Sequence, residues 1–444
     1  MTDLERDLRK MLHHKAEDGP RVPRRTAQLA RRARVNRALT VVVGAMAIVA
    51  LLVGGFAAAG SLSRNEALPP AEEQPKPTLR PATNGWVAVD AYRDGIYLVR
   101  PGESARRLKV AGPDATSDAC PAWSPDGTRL LFGRLTSSSG TASKDAELVI
   151  VPVGSDGAIG APTRIRLDGF EVLEGFDPHP CAIWAPDGRW VAFAGTGDVW
   201  VVDTQTGAIR RLPDLRPTDL EWRPGTDELA IAGDLGADRS APALSAPVTV
   251  YSVSTGGLRR LGSVKAAQIT WSPDGTSLAY TGGERETREI GLVDGDGTNE
   301  RLLVADIRPA IHGIGPVWSP TGDRIAYQRC QGGPDVEYEC SGERHEVVLV
   351  SVADGAQTVI KPPTADGHEW YPFTVSWSPD GTTLLYSAWS FGDETLPGGV
   401  IAVPADMPSD ATVLIDSIDP VPDYYSHGWT PGQMWGRQPG DTDR

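Results

Sequence analysis

Ten residues, Trp271-Ser272-Pro273-Asp274-Gly275-Thr276-Ser277-Leu278-Ala279-Tyr280, constrain the fold of this chain more than any other stretch. Trp271 ends a short strand, Ile269-Thr270-Trp271. Pro273 presets its own φ, Asp274 can bond neighbouring amides, and Gly275 accepts a positive φ, so the middle of the stretch makes a tight turn. Beyond the turn, Ser277 and Ala279 alternate with Leu278 and Tyr280, with the apolar pair facing inward, which is the period of a half-buried strand. The unit is a β-hairpin with a large aromatic at its base.

The hairpin recurs along the chain. It appears as Trp123-Ser-Pro-Asp-Gly, Trp184-Ala-Pro-Asp-Gly, Trp222-Arg-Pro-Gly-Thr-Asp, Trp318-Ser-Pro-Thr-Gly and Trp377-Ser-Pro-Asp-Gly, with a further copy, Trp429-Thr-Pro-Gly, near the end. Successive tryptophans lie 38 to 61 residues apart, room for four strands per repeat plus insertions. A second hairpin follows each first one, as in Asp198 to Leu212 and Glu289 to Leu303. Four antiparallel strands per repeat predict a propeller blade. Residues 86–108 read as a blade without its first strand, and Ser426-His-Gly-Trp-Thr-Pro-Gly as a first strand without a blade. Joining the two closes the ring and removes its open edges, giving an all-β, seven-bladed β-propeller with N/C-terminal ring closure.

These units resemble the repeats of the TolB-like, WD40-like (PD40) propeller superfamily over about residues 85–435. TolB itself has six blades and a separate N-terminal domain, whereas this chain has an extra repeat, so TolB's partners do not carry over. The turn aspartate is missing after Trp222 and Trp318, which marks it as a structural residue.

What precedes the repeats sets the expected location. Residues 1–37 read as a short cytoplasmic helical segment, with Thr2-Asp3-Leu4-Glu5 at capping-box spacing and Leu4, Leu8, Met11 and Leu12 on one face. Residues 38–60 contain no charge. As a helix they extend about 34 Å, enough to cross a bilayer core of about 30 Å. The basic cluster lies on their N-terminal side, so the positive-inside rule predicts a cytoplasmic N-terminus and an extracytoplasmic propeller. Ala57-Ala58-Ala59 would suit cleavage of a signal peptide, but the long basic region and long apolar run favour an uncleaved transmembrane anchor. Residues 61–84, rich in proline, read as an extended linker, and 436–444 as a disordered tail.

Charge bears on partners. Residues 1–37 hold eleven Lys/Arg and five Asp/Glu. That net of +6, set against −15 for the whole chain, leaves −21 on the rest. An acidic main body lacks the clustered Lys/Arg that phosphate contacts require, which argues against nucleic acid. Cys120 and Cys181 each precede a motif tryptophan by three residues, so they hold equivalent places in consecutive repeats and lie within reach of a bridge. Cys330 and Cys340 could staple a long hairpin. Two disulfides suit an extracytoplasmic domain, and four free thiols are the alternative.

Catalytic motifs are sparse. The chain has no Gly-x-Ser-x-Gly elbow, P-loop, His-Glu-x-x-His or Cys-x-x-Cys. Asp294-Gly-Asp-Gly-Thr-Asn-Glu300 does not meet EF-hand spacing and reads as a turn between outer strands. His179, His312, His368 and His427 precede motif tryptophans, where segments entering the innermost strands converge on the channel mouth. Of these, His312, His368 and His427 belong to adjacent blades and could ligate a divalent metal, with Asp177, Glu369 and Asp423 as acidic neighbours. The resemblance extends here by location alone, since TolB-like oligogalacturonide lyases hold manganese through channel histidines. The competing reading is that these histidines bond backbone at strand ends, with no cofactor.

The sequence supports a single-pass membrane-anchored propeller that acts as a non-catalytic binding, scaffold or sensing module for a protein, peptide or glycan. His179, His312, His368, Glu369, Trp370, Tyr424 and His427 are the candidate contacts on its loop face. Two alternatives stand beside it. The layout resembles that of transmembrane anti-sigma regulators, with residues 1–37 engaging a cytosolic partner, although the His-x-x-x-Cys-x-x-Cys motif of many of these is absent. The other is a metal-dependent lyase or lactonase-like enzyme at the channel mouth.

Overall fold

The computed structural model describes residues 83–437 except 91–94, 101, 113–115, 138–143, 171–179, 196, 234–245, 284–287, 308–314, 331–344, 361–363, 366–367, 373–374, 391–397, 407–411 and 419–434. The expected cytoplasmic segment, membrane helix and all but the last two residues of the linker lie outside the described residues. Among the described residues no helix is long and apolar enough to cross a membrane.

Seven antiparallel sheets form seven blades, as the repeat count predicts. Blade two runs Thr116–Trp123, Arg129–Ser137, Lys144–Pro152, Thr163–Arg166, and blade three Ile183–Trp184, Trp190–Ala194, Val199–Asp203, Ile209–Leu212. Blade four is Pro217–Trp222, Glu228–Gly233, Ala246–Ser252, Leu258–Ala266, and blade five Gln268–Trp271, Ser277–Gly283, Arg288–Asp294, Arg301–Ile307. Blade six follows as Val317–Trp318, Arg324–Cys330, His345–Ser351, Gln357–Ile360. In blade seven the innermost position is shared by His368–Pro372 and Ser376–Trp377, which both pair with Thr383–Ser390. Gly398–Pro404 and Thr412–Ile418 follow outward, and Thr364–Ala365 adds a short strand on the inner side of His368–Pro372.

Blade one is composite. Asn84–Asp90, Ile96–Val99 and Arg106–Arg107 come from the start of the propeller, and Trp435–Arg437 supplies its innermost strand. The register Asn84↔Arg437 and Val87↔Trp435 covers the open edge of Asn84–Asp90. Residues 436 and 437 are therefore strand, where the sequence reading places the start of a tail. Closure is reinforced by side chains: Asn84 Nδ2 donates to Asp380 Oδ2 at 2.8 Å, and Asp380 N–H donates back to Asn84 Oδ1 at 3.1 Å.

The core is divided among the blade interfaces. Seven apolar clusters occur among the described residues, and each draws on two successive blades. The last joins Val87, Val89 and Val99 of blade one to Leu385, Val400 and Ala402 of blade seven. This arrangement changes the reading of the repeated strand. Leu278 and Tyr280 pack toward blade four, but Ala279 is also buried, against blade six. A blade sandwiched between two others has no solvent face.

The motif residues account for the repetition. Trp184 Nε1 donates to the carbonyl of Ala122, Trp222 Nε1 to Ile183, Trp318 Nε1 to Thr270 and Trp377 Nε1 to Val317, at 3.1 to 3.2 Å. In each case the acceptor belongs to the residue just before the preceding motif tryptophan, so the indoles lace successive innermost strands together. In the turn, Asp274 Oδ1 accepts Ser272 Oγ–H, Thr276 N–H and Thr276 Oγ1–H at 2.6 to 3.0 Å. Asp126 and Asp380 repeat the pattern. After Trp318 the aspartate is displaced two places, and Asp323 accepts from Ser319 and Thr321 instead. The turn aspartate is a scaffold group at every blade that has one.

Candidate functional site at the channel

Antiparallel alternation gives the ring two unlike faces. Connections between first and second strands, and between third and fourth, share one face; the others share the opposite face. On the first face, five residues link Trp123 to Arg129 and five link Trp271 to Ser277. On the second, twelve residues separate Gly233 from Ala246, fourteen Cys330 from His345, and sixteen Ile418 from Trp435. The Asp294–Glu300 segment belongs to the tight face: Asp296 Oδ1 accepts Thr298 N–H and Oγ1–H, a turn between outer strands as its sequence suggests.

Of the candidate contacts singled out from sequence, three are described. His179, His312, Tyr424 and His427 lie outside the described residues. His368, Glu369 and Trp370 lie in strand His368–Pro372 of blade seven, where the sequence reading expects a loop, and His368 and Glu369 pair there with Ala365 and Thr364. Among the described residues no group of three or more His, Cys, Asp or Glu could hold a metal ion.

The first strands of blades two to seven contact one another in succession, the position that lines the channel of a propeller. Cys120 and Cys181 form a disulfide there between blades two and three, with Cα atoms 5.0 Å apart. The Cys120 N–H also donates to Asp90 Oδ2 of blade one at 3.1 Å. Cys330 is disulfide-bonded too, and Cys340, the one other cysteine, lies outside the described residues.

One channel feature escaped the sequence reading. Blade four carries Asp219 and Glu221 on its first strand, two residues apart and therefore on one face. Leu220 and Trp222, on the opposite face, pack into the core shared with blade three. Asp219 Oδ2 accepts the N–H of Ile269 in blade five at 2.8 Å, and its Oδ1 accepts the N–H of Leu220 at 2.9 Å. Burial pushes the Asp219 carboxyl up to about 7 against the pull of these two amides. Burial, and then the charge of Asp219, pushes Glu221 up to about 8. Both side chains lie deep within the protein mass yet keep partial solvent exposure, which fits groups that line a channel. Such a pair can hold and exchange a proton near neutrality. The available signal was a comparison of repeats: at one and three residues before the tryptophan, only this motif carries acids, where the blade-five motif has Thr270 and Gln268.

No family model matches the chain. A stretch of 124 residues is 28% identical to a probable dipeptidyl-aminopeptidase B of Grosmannia clavigera, covering 27% of this chain and 12% of that protein. The chain thus spans about an eighth of the curated relative it matches. Among solved structures, TolB from Acinetobacter baumannii is similar with a TM-score of 0.41 and 12% identity, covering 76% of this chain and 80% of that one. Oligogalacturonate lyase from Vibrio parahaemolyticus is similar with a TM-score of 0.47 and 14% identity, covering 75% and 85%. TolB thus stands among the structural neighbours, and the chain folds as the seven-bladed propeller that its repeats describe.

Proposed function

We propose that this chain is an extracytoplasmic binding propeller, held to the membrane by residues 38–60, that engages a protein, peptide or glycan at the channel mouth on its long-connection face. The asymmetry of the two faces carries this reading. On one face the Asp274 and Asp296 turns have their polar groups consumed by their own hydrogen bonds, while the other gathers the longest connections, of twelve to sixteen residues, which recognition uses on a rigid scaffold. The disulfide between blades two and three supports an oxidising compartment, and with it an extracytoplasmic location.

The test is a comparison of faces in the full chain against a panel of peptides and glycans. Glu369→Ala, Trp370→Ala and Tyr424→Ala should abolish binding of the panel member that the parent protein retains. Thr255→Ala and Thr298→Ala, on the tight face, should leave it intact. Loss with the tight-face set alone would overturn the proposal. Metal analysis of the purified full chain separates the lyase alternative, for which His312, His368 and His427 are the ligands: stoichiometric manganese or another divalent ion would favour it over a metal-free binder.

A further inference from the structure

The interface between blades four and five is fastened differently from its neighbours. Trp184, Trp222, Trp318 and Trp377 each bond their indole N–H to the preceding blade. Trp271 is the fifth-blade counterpart, and the matching acceptor would be the Glu221 carbonyl. That bond is not made: Trp271 Nε1 is buried without a partner. The cross-blade hydrogen bond between the two first strands here runs from Ile269 N–H to the Asp219 carboxyl. A titratable side chain has replaced an indole as the fastening.

The surroundings give that carboxyl pair no opposing charge among the described residues. The first strand of blade five, Gln268–Trp271, has no ionisable group, nor do Ile183–Trp184 and Trp190–Ala194 of blade three. The adjacent strand Glu228–Gly233 offers Glu228, which is engaged by Arg223 and Arg259 at the tight face. In the connection leading into blade four, the Asp214 N–H is bonded to Asp198, and the Arg216 carbonyl lies against Gly233. Burial, two amides and the pair's own repulsion are the influences acting on these carboxyls. Asp219 has two N–H donors and so is the better site for a negative charge. Glu221 has no donor among the described residues and is the better site for the proton.

We propose that Asp219 and Glu221 form a proton-controlled joint between blades four and five, closed while Glu221 is protonated and loosened when both carboxyls carry charge. A second charge two residues from the first, on the same strand face and without a cation, favours moving the strand toward water and away from blade five. Both carboxyls titrate above their unfolded values of 3.8 and 4.5. The stability that the protonated pair contributes is therefore complete below those values and is lost as pH rises through about 7 and 8. The joint lies beside the channel, so its loosening alters the channel wall.

Amide hydrogen exchange of the full chain between about pH 6 and pH 9 tests this, with rates corrected for the intrinsic pH dependence of exchange. The Ile269 amide should lose about tenfold or more in protection relative to the Ala326 amide of blade six. Glu221→Gln should remove that loss, and Asp219→Asn, which keeps an oxygen acceptor for Ile269 N–H, should remove it too. Wild-type Ile269 protection that tracks Ala326 across this range would overturn the proposal, even if neither variant folds. So would a Glu221→Gln protein that folds and still loses protection at Ile269 alone.

Discussion

The indole N–H of Trp222 donates to the carbonyl oxygen of Ile183 across the boundary between blades three and four, 3.2 Å away. Trp271 occupies the same place one blade on, with its indole N–H buried and unbonded. The pair separates the hydrogen bond from the bulk of the side chain. Trp222→Phe should destabilise the propeller by about 1 kcal/mol more than Trp271→Phe, because only the first leaves a buried carbonyl without its donor. Both changes lose similar apolar area. Chemical denaturation of the two variants measures the difference directly, and equal losses would mean that the indole bonds do not lace the ring.

Two turn glycines make a second matched pair. Gly275 has φ +67°, and a Cβ there would lie 2.6 Å from the carbonyl oxygen of Pro224 in the preceding blade. Gly225 has φ +71°, and nothing lies within 4 Å of where its Cβ would be. Gly225→Ala should cost only the left-handed backbone conformation, about 1 kcal/mol. Gly275→Ala should cost at least about 1 kcal/mol more, since two backbones must separate. Thermal melts that rank the two the other way would refute this account of the turn.

These residues also show what the sequence could reveal. A tryptophan, a proline and a glycine repeated at blade spacing make each hairpin visible, and the mismatched ends, Trp86 onward and the segment after Ile418, make ring closure visible. Asp219 and Glu221 were not visible in the same way. The run Thr218-Asp219-Leu220-Glu221-Trp222 has the alternation of any half-exposed strand, so its acids read as solvent-facing. In a propeller the first strand has no such face: one side packs on the preceding blade, and the other meets the next blade and the channel. Only the assembled ring turns that alternation into two half-buried carboxyls deep in the protein mass. The histidines present the reverse case, because His179, His312 and His427 precede the motifs at irregular offsets on long connections, where strand periodicity carries no positional information.

Acid should act on the turn face. Arg189 Nη2 bonds Asp203 Oδ2 at 2.6 Å. This bond, helped by the Gln205 N–H and opposed by burial, holds the Asp203 carboxyl at about 2, below its usual 3.8. A depressed carboxyl contributes stability that is present above about 3.8 and lost as pH falls through about 2. Because Arg189 is half exposed, solvent screens the pair and the expected effect is small. The melting-temperature gap between the parent protein and Asp203→Asn should therefore be open at neutral pH and closed near pH 2. A gap that persists in acid would assign the loss to something other than ionisation.

The Cys120–Cys181 disulfide should contribute more than any of these single bonds. It closes a loop of 61 residues between blades two and three, for which the chain-entropy account gives about 4 kcal/mol. Its place also matters, because Cys120 belongs to the only described first strand that is tied to blades on both sides through one residue: its N–H bonds Asp90 of blade one, and its sulfur bonds Cys181 of blade three. The double variant Cys120→Ala/Cys181→Ala should lower the melting temperature by several degrees. It should also raise amide exchange in blades one to three more than in blades five and six, because neighbour contacts carry stability around a ring of separate cores. A uniform rise in exchange across all seven blades would show instead that the ring unfolds as one unit and that the disulfide acts only on the unfolded chain.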